Sequence, residues 1–215
     1  MKISFPYPNR YGILFKRCKL SKKTWIILSP FIMGAMIFID QITKYLADRD
    51  LADGDFVIIN KVLRLSLAHN TGAAWGMLEG RVDILSIVTV ALSIFLIYFF
   101  IKIPEGKKYG IMRFLTLSVI AGSIGNLIDR AWAGQVTDFV YIELIDFPKF
   151  NVADCFITWA MVLLVILMIF YYKDEDLEFF GLSNKKKESK EEINNTESEN
   201  TAETISETNS GMETK

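Results

Sequence analysis

The sequence predicts a mainly α-helical membrane protein: a four-transmembrane-helix bundle with a small extracytoplasmic β-sheet between helices 1 and 2. Three observations predict it. Four long apolar runs lie within 215 residues, of which 51% are hydrophobic. The stretch between the first two runs alternates apolar and polar residues, the period of a half-buried strand. Charge is segregated: the first 24 residues carry seven Lys or Arg and no acid, and about the last thirty are polar. A net charge of −1 therefore says little about partners, and the position of the charges says more. The length fits one domain with tails.

Residues 1–24 read as a basic cytoplasmic arm, and residues 25–172 as the four-span membrane domain. Trp25 to Ile39 is apolar, like a signal-peptide core, but no small-residue cleavage site follows. Ile39, Ile42, Tyr45 and Leu46 keep a helical spacing, so the first span is about 25–46. At 1.5 Å per residue it is roughly 33 Å long, enough to cross a bilayer core. Asp40 and Lys44 lie four apart on one face near its far end. Spacing alone leaves them either a surface ion pair or the support of a polar site.

The outer β region spans 51–80. Asp53-Gly54-Asp55 reads as a turn, Phe56 to Ile59 as a short strand, and Leu63, Leu65 and Leu67 as one face of another. In the following Asn70-Thr71-Gly72-Ala73-Ala74-Trp75-Gly76, Asn and Gly mark a turn. Its small residues permit close backbone approach, and Trp75 suits a membrane interface. The remaining spans are read at 84–103, 111–130 and 154–172. Gly122, Ser123 and Gly125 in the third permit close helix packing, and Tyr171 and Tyr172 end the fourth as an interfacial belt. Residues 173–215 are read as a disordered cytoplasmic tail; beyond about Ser183 they have almost nothing to bury.

Lys and Arg are concentrated in the arm, in the loop of Lys102, Lys107, Lys108 and Arg113, and in the segment from Lys173 to Lys187. The positive-inside rule puts all three in the cytoplasm. Both termini are then cytoplasmic, and Asp40, Asn70, Asn126, Asp129, Asp138 and Asp154 all fall on the outer side.

Two cysteines, Cys18 and Cys155, suggest neither a disulfide framework nor a zinc site. His69 is the only histidine, which excludes a multi-histidine metal site. The chemistry concentrates between Gly122 and Asp154. Ionisable groups at the edge of a hydrocarbon layer are costly and mark function by default. Asp138 and Asp154 can form an aspartyl pair: one carboxyl keeps a proton because two close like charges repel, and the other activates water. Bland alternatives stand beside this. Asp154 opens the fourth span and can be a helix cap, Asp138 a loop acid like Glu143 or Asp146, and Asp129-Arg130 an interfacial ion pair. A proton-coupled carrier and a catalytically silent lipid-binding protein also remain open. The carrier predicts acids near mid-membrane, whereas these gather at one edge.

Five blocks then carry a resemblance. Asp40-Gln-Ile-Thr-Lys44, Asn70-Thr-Gly-Ala-Ala-Trp-Gly76, Gly125-Asn-Leu-Ile-Asp-Arg130, Val136-Thr-Asp-Phe139 and Phe150-Asn-Val-Ala-Asp154 resemble the lipoprotein signal peptidases (signal peptidase II) in order and spacing. The resemblance covers about residues 25–172, and Thr137 stands where the family more often has an aliphatic residue. It implies an intramembrane aspartic endopeptidase of the bacterial cytoplasmic (inner) membrane. Such an enzyme removes the signal peptide from prolipoproteins on the amino side of a diacylglyceryl-modified cysteine. It implies Asp138 and Asp154 as the catalytic pair and Asn70, Asn126, Arg130, Asn151 and Ala153 around the substrate. Asp40, Lys44 and Asp129, with Gly72, are implied as support. No metal or organic cofactor is expected. The implied partners are prolipoproteins, membrane lipid and cyclic peptide inhibitors of the globomycin type, with no nucleic acid.

Overall fold

Each apolar run forms one helix, because a chain surrounded by hydrocarbon must satisfy its backbone polar groups internally. The computed structural model describes residues 21–72 and 77–180. The basic arm up to residue 20, Cys18, Trp75 and the tail from residue 181 lie outside the described residues. The helices are α1 (Lys22–Asp50), α2 (Val82–Lys102), α3 (Gly110–Ala133) and α4 (Val152–Phe170). All four are long and apolar enough to cross a membrane.

Their ends differ from the sequence expectations for local reasons. α1 starts before Trp25 because the Ser21 hydroxyl accepts the Thr24 N–H at 3.1 Å, an N-cap that satisfies an otherwise orphan donor. It runs past Leu46 because Ala47 and Leu51 pack against Phe139. α3 continues beyond residue 130 to a left-handed Gly134, whose N–H bonds the Arg130 carbonyl at 3.1 Å. α4 begins at Val152 and ends at Phe170, short of the expected Tyr172.

α3 is the central helix: α1 and α2 both pack on it. Of its apolar window 67% is buried, against 11% for α1 and 17% for α2. Glycines bring its neighbours close. A Cβ on Gly122 would stand 2.5 Å from the Ala153 carbonyl oxygen, and one on Gly125 2.5 Å from Asp40 Oδ2. The first turn of α4 and the polar end of α1 can thus approach α3 closely because it has no side chain at these two positions.

The sheet is antiparallel in the order β1 (Phe56–Ile59), β2 (Leu63–Asn70), β3 (Val136–Tyr141). Its third strand comes from between α3 and α4, which corrects the expectation of a sheet built wholly between helices 1 and 2. Asp138 therefore sits on a strand and not in a loop. β2 carries a bulge: Leu65 faces Val140 and Ala68 faces Asp138, so three steps along β2 match two along β3. Side chains alternate across a sheet, so this extra residue exchanges the faces of everything after it. It turns Asn70, and not His69, to the face of Asp138. The chain's two compact units divide within α4, after Val162. The site below lies wholly in the first; the second holds the rest of α4 and a 3-10 segment, Asp174–Phe180.

Candidate active site

Asp154 is fixed by its place in a helix start. Asn151 precedes α4 and Asp154 is its third helical residue. The Asn151 Oδ1 accepts the Asp154 N–H at 3.0 Å, and Asp154 Oδ2 accepts the Asn151 N–H at 3.1 Å. This reciprocal pair is a capping box, and the positive end of the helix favours the carboxylate there. The cap expected as the bland alternative is thus present, but it accounts for only one oxygen. Asp154 Oδ1 turns the other way and accepts Asn126 Nδ2 at 2.8 Å.

Asp138 is 3% exposed on β3. The bulged register sets Asn70 diagonally across from it, and Asn70 Nδ2 donates to Asp138 Oδ2 at 3.0 Å. Asn151 Nδ2 donates to Asp138 Oδ1 at 2.7 Å. One asparagine therefore bonds both acids, the Asp138 carboxyl through its side-chain N–H and the Asp154 carboxyl through its backbone N–H. Burial pushes the Asp138 carboxyl up to about 6 despite the Asn70 and Asn151 donors, and the charge of Asp154 adds to the rise.

Behind the pair lies a second layer from α1 and α3. Asp40 and Lys44 are 1% and 3% exposed, so they are a buried pair and not a surface one. Lys44 Nζ lies 2.8 Å from Asp40 Oδ2 and 2.7 Å from Asp129 Oδ2, and it donates to Asn126 Oδ1 at 2.9 Å. Asp40 Oδ1 accepts the Ala153 N–H at 2.8 Å, capping α4 from α1. Asp129 thus pairs with Lys44 and not with its neighbour Arg130. The Arg130 side chain makes no hydrogen bond or ion pair among the described residues, and Arg130 lines the cavity.

The acids open on a cavity of about 530 Å³. Asn70, Gly72, Asn126, Arg130, Asp138 and Asp154 form its polar end, and Ile142, Phe147, Phe150 and Trp159 are among its apolar walls. Gly72 donates its N–H to Asn70 Oδ1 at 2.8 Å, which directs the Asn70 amide nitrogen at Asp138. Asn151 and Ala153 are fully buried behind the cavity lining. Their contacts run to the acids and to Asp40.

Three groups of residues went unread in the sequence. Gln41 donates to Asp129 Oδ1 at 2.8 Å and to the Gly125 carbonyl at 3.2 Å, although it stands inside a block already singled out. Cys155, Thr158 and Trp159 line the cavity beside Asp154. The one-, four- and five-residue offsets from Asp154 along a helix were the signal. Residues 142–150, read as plain loop, form the cavity's outer wall. Arg64 holds Glu143, with contacts of 3.0 and 2.6 Å, and Lys149 donates to Ser66 Oγ at 2.8 Å. His69 stays at the surface, 3.9 Å from Asp48.

Four helices able to cross a membrane, with two carboxyls bonded by one asparagine at the polar end of a largely apolar cavity, define a multi-pass membrane protein with a pair of acids in its cavity. The family model for signal peptidase (SPase) II matches residues 32–170. The chain is 36% identical over 154 residues to a lipoprotein signal peptidase of Staphylococcus carnosus (strain TM300), covering 70% of this chain and 96% of that one. A lipoprotein signal peptidase of Staphylococcus aureus (strain MRSA252) is also 36% identical, with 93% of its length covered. A bacterial membrane enzyme solved by the in meso method at 2.3 Å resolution superposes with a TM-score of 0.62 at 34% identity, over 67% of this chain and 88% of that one. A second, solved at 1.9 Å, gives 0.58 at 34% identity over 68% and 96%. This chain belongs to the lipoprotein signal peptidase (signal peptidase II) family, a family of membrane proteases.

Proposed function

We propose that the protein is an aspartic endopeptidase that removes the signal peptide from diacylglyceryl-modified prolipoproteins, cutting on the amino side of the lipidated cysteine. The observation that carries this reading is Asn151, whose side-chain N–H bonds the Asp138 carboxyl and whose backbone N–H bonds that of Asp154. It sets two carboxyls at one site, where burial and the charge of Asp154 raise Asp138 to about 6, so the pair keeps one proton up to about that pH.

The chemistry follows from that arrangement. The ionised carboxyl takes a proton from water as the water oxygen attacks the scissile carbonyl carbon. The protonated carboxyl gives its proton to the carbonyl oxygen, forming a neutral tetrahedral intermediate. Collapse breaks the C–N bond: the proton gained from water goes to the leaving amine, and a hydroxyl proton returns to the carboxyl that gave one up. Asp138, with its raised value, is the acid at the start, and Asp154, capped and near the Arg130 charge, is the base. Arg130, with no partner of its own among the described residues, is a donor for the substrate backbone at the polar end. The apolar walls accept the lipid chains, and cyclic peptides of the globomycin type would compete for the same space.

The proposed setting is the bacterial cytoplasmic membrane, with both termini inside and the acids facing out, by the distribution of Lys and Arg. A cut at the outer boundary of a membrane helix suits that depth. Purified protein is given a lipidated precursor, with Asp138→Asn and Asp154→Asn as controls. Each variant is expected to stay folded and to lose about 10²–10⁴-fold in cleavage rate. Full activity in either variant overturns the reading.

A further inference from the structure

The two acids are surrounded by donors, and the direction of those donors has a cause. Asp154 Oδ1 accepts from Asn126 Nδ2 and Oδ2 from the Asn151 N–H. Asp138 Oδ1 accepts from Asn151 Nδ2 and Oδ2 from Asn70 Nδ2. Each of the four oxygens therefore meets an N–H. Among the described residues no acceptor bonds either carboxyl, so a proton on the pair is left facing the cavity or the other acid.

An asparagine amide is two-faced, and only its neighbours decide which end points where. Asn70 is turned by the Gly72 N–H at its oxygen. Asn151 is turned by the Asp154 N–H. Asn126 has no backbone N–H at its oxygen: Oδ1 takes Asn151 Nδ2 at 3.1 Å and the Lys44 ammonium at 2.9 Å. An ammonium has three donors and no acceptor, and the other two donors of Lys44 have Asp40 Oδ2 and Asp129 Oδ2 within 2.8 Å. The cation on α1 can thus be satisfied only while Asn126 shows it the oxygen and shows Asp154 the N–H.

We infer that Lys44 is a positioning residue for proton placement: through Asn126 it denies Asp154 a buried acceptor and keeps the pair's proton at the cavity face. This rests on the paired-acid reading and deepens it. The charged groups around the pair are Asp40 and Lys44 on α1, Asp129 and Arg130 on α3, Asp138 on β3 and Asp154 on α4. Lys149 adds a charge on the cavity's outer wall. Without Lys44, Asn151 Nδ2 is the other donor at Asn126 Oδ1, and its two N–H groups also have Asp138 Oδ1 and the Thr137 carbonyl in reach, so Asn126 can turn over when Asp154 is protonated and accept its O–H. The proton is then buried, held more tightly and withheld from the substrate.

The test is the pH dependence of kcat and KM on a lipidated precursor for purified, full-length Lys44→Arg, Lys44→Gln and Lys44→Met/Asp129→Asn. The last keeps the cluster's net charge, so it separates hydrogen-bond direction from simple loss of a cation. In the Gln and double variants kcat is expected to fall about 10²-fold with KM little changed. Their alkaline limb should move up by about one pH unit, the weight of one hydrogen bond exchanged between protonation states. Lys44→Arg, which donates but cannot accept, should keep the wild-type limb. A limb that stays in place while rate is lost overturns the inference, as does a limb that moves in Lys44→Gln but not in the double variant. Where the double variant does not accumulate folded, the Arg and Gln pair decides: equal limbs overturn the inference. Activity retained by the two Asp→Asn enzymes would instead remove the reading beneath it, so the two failures are distinct.

Discussion

The protein builds the same charge motif twice, one cation between two carboxylates. In one copy Lys44 stands between Asp40 and Asp129; in the other Arg64 stands between Asp55 and Glu143. The first copy has side chains 4%, 1% and 11% exposed, and the second 30%, 39% and 27%. Burial makes them different devices. In the inner copy desolvation is severe, so each charge is bound to its partners and to the amides behind the acids. In the outer copy water and salt compete for every contact. The inner copy fixes chemistry, and the outer one only pins the 143–149 wall of the cavity to the sheet.

The sharpest way to break this contrast is to remove each cation. Lys44→Met leaves two buried carboxylates uncompensated and is expected to destabilise by about 3–5 kcal/mol, read as a large drop in melting temperature in detergent. A melting temperature close to wild type would mean that the inner copy is as dispensable as the outer. Gly125→Ala attacks the same copy from α3, since its Cβ would stand 2.5 Å from Asp40 Oδ2. Forcing that atom into a filled site costs about 1–3 kcal/mol, and Asp40 must release Gln41 or Lys44. The expected result is a lower melting temperature with cleavage reduced but not abolished.

The pH profile sharpens the comparison. Asp138, raised by burial to about 6, should set an alkaline limb in kcat/KM near that value. Activity falls as pH rises through it, because the acid is lost. The limb of kcat should lie higher, since bound substrate excludes water. The limb should not move with added salt, because the acid lies among buried partners. The sign for stability is the same: a folded value above the ordinary 3.8 favours the protonated fold, and stability is lost as pH rises from about 4 through about 6. Arg64→Gln should do least. A melting-temperature change at the limit of measurement, a raised KM with kcat intact, and a difference erased by about 0.5 M salt are expected. An equal loss in kcat would give the outer copy a part in the chemistry.

The spans and β1 are legible because hydrocarbon and sheet impose simple periods on the chain. The blocks around Asp40, Asn70, Asn126, Asp138 and Asp154 are legible because polar residues there are otherwise costly. What is hidden depends on partners far away in sequence. β3 shows no clean alternation, since Val136, Thr137, Asp138 and Phe139 are all buried, on a strand that packs on β2, α1 and α3. The bulge between Leu65 and Ala68 has no residue signature, yet it decides that Asn70 and not His69 meets Asp138. Ala153 enters among the substrate residues through the family resemblance alone. No residue signature shows that its N–H bonds Asp40, 113 positions earlier.

That last bond has a consequence in time. Asp40 is made early and enters the membrane with the first helix, while the N–H it caps belongs to the fourth. Until Ala153 has been synthesised and α4 has begun, Asp40 has one partner fewer, Asn126 has no carboxylate to hold, and β3 has no Phe150 beside it. A nascent chain carrying three spans holds one acid of the pair at most. On the proposed paired-acid mechanism the site is complete only once the last helix takes its place.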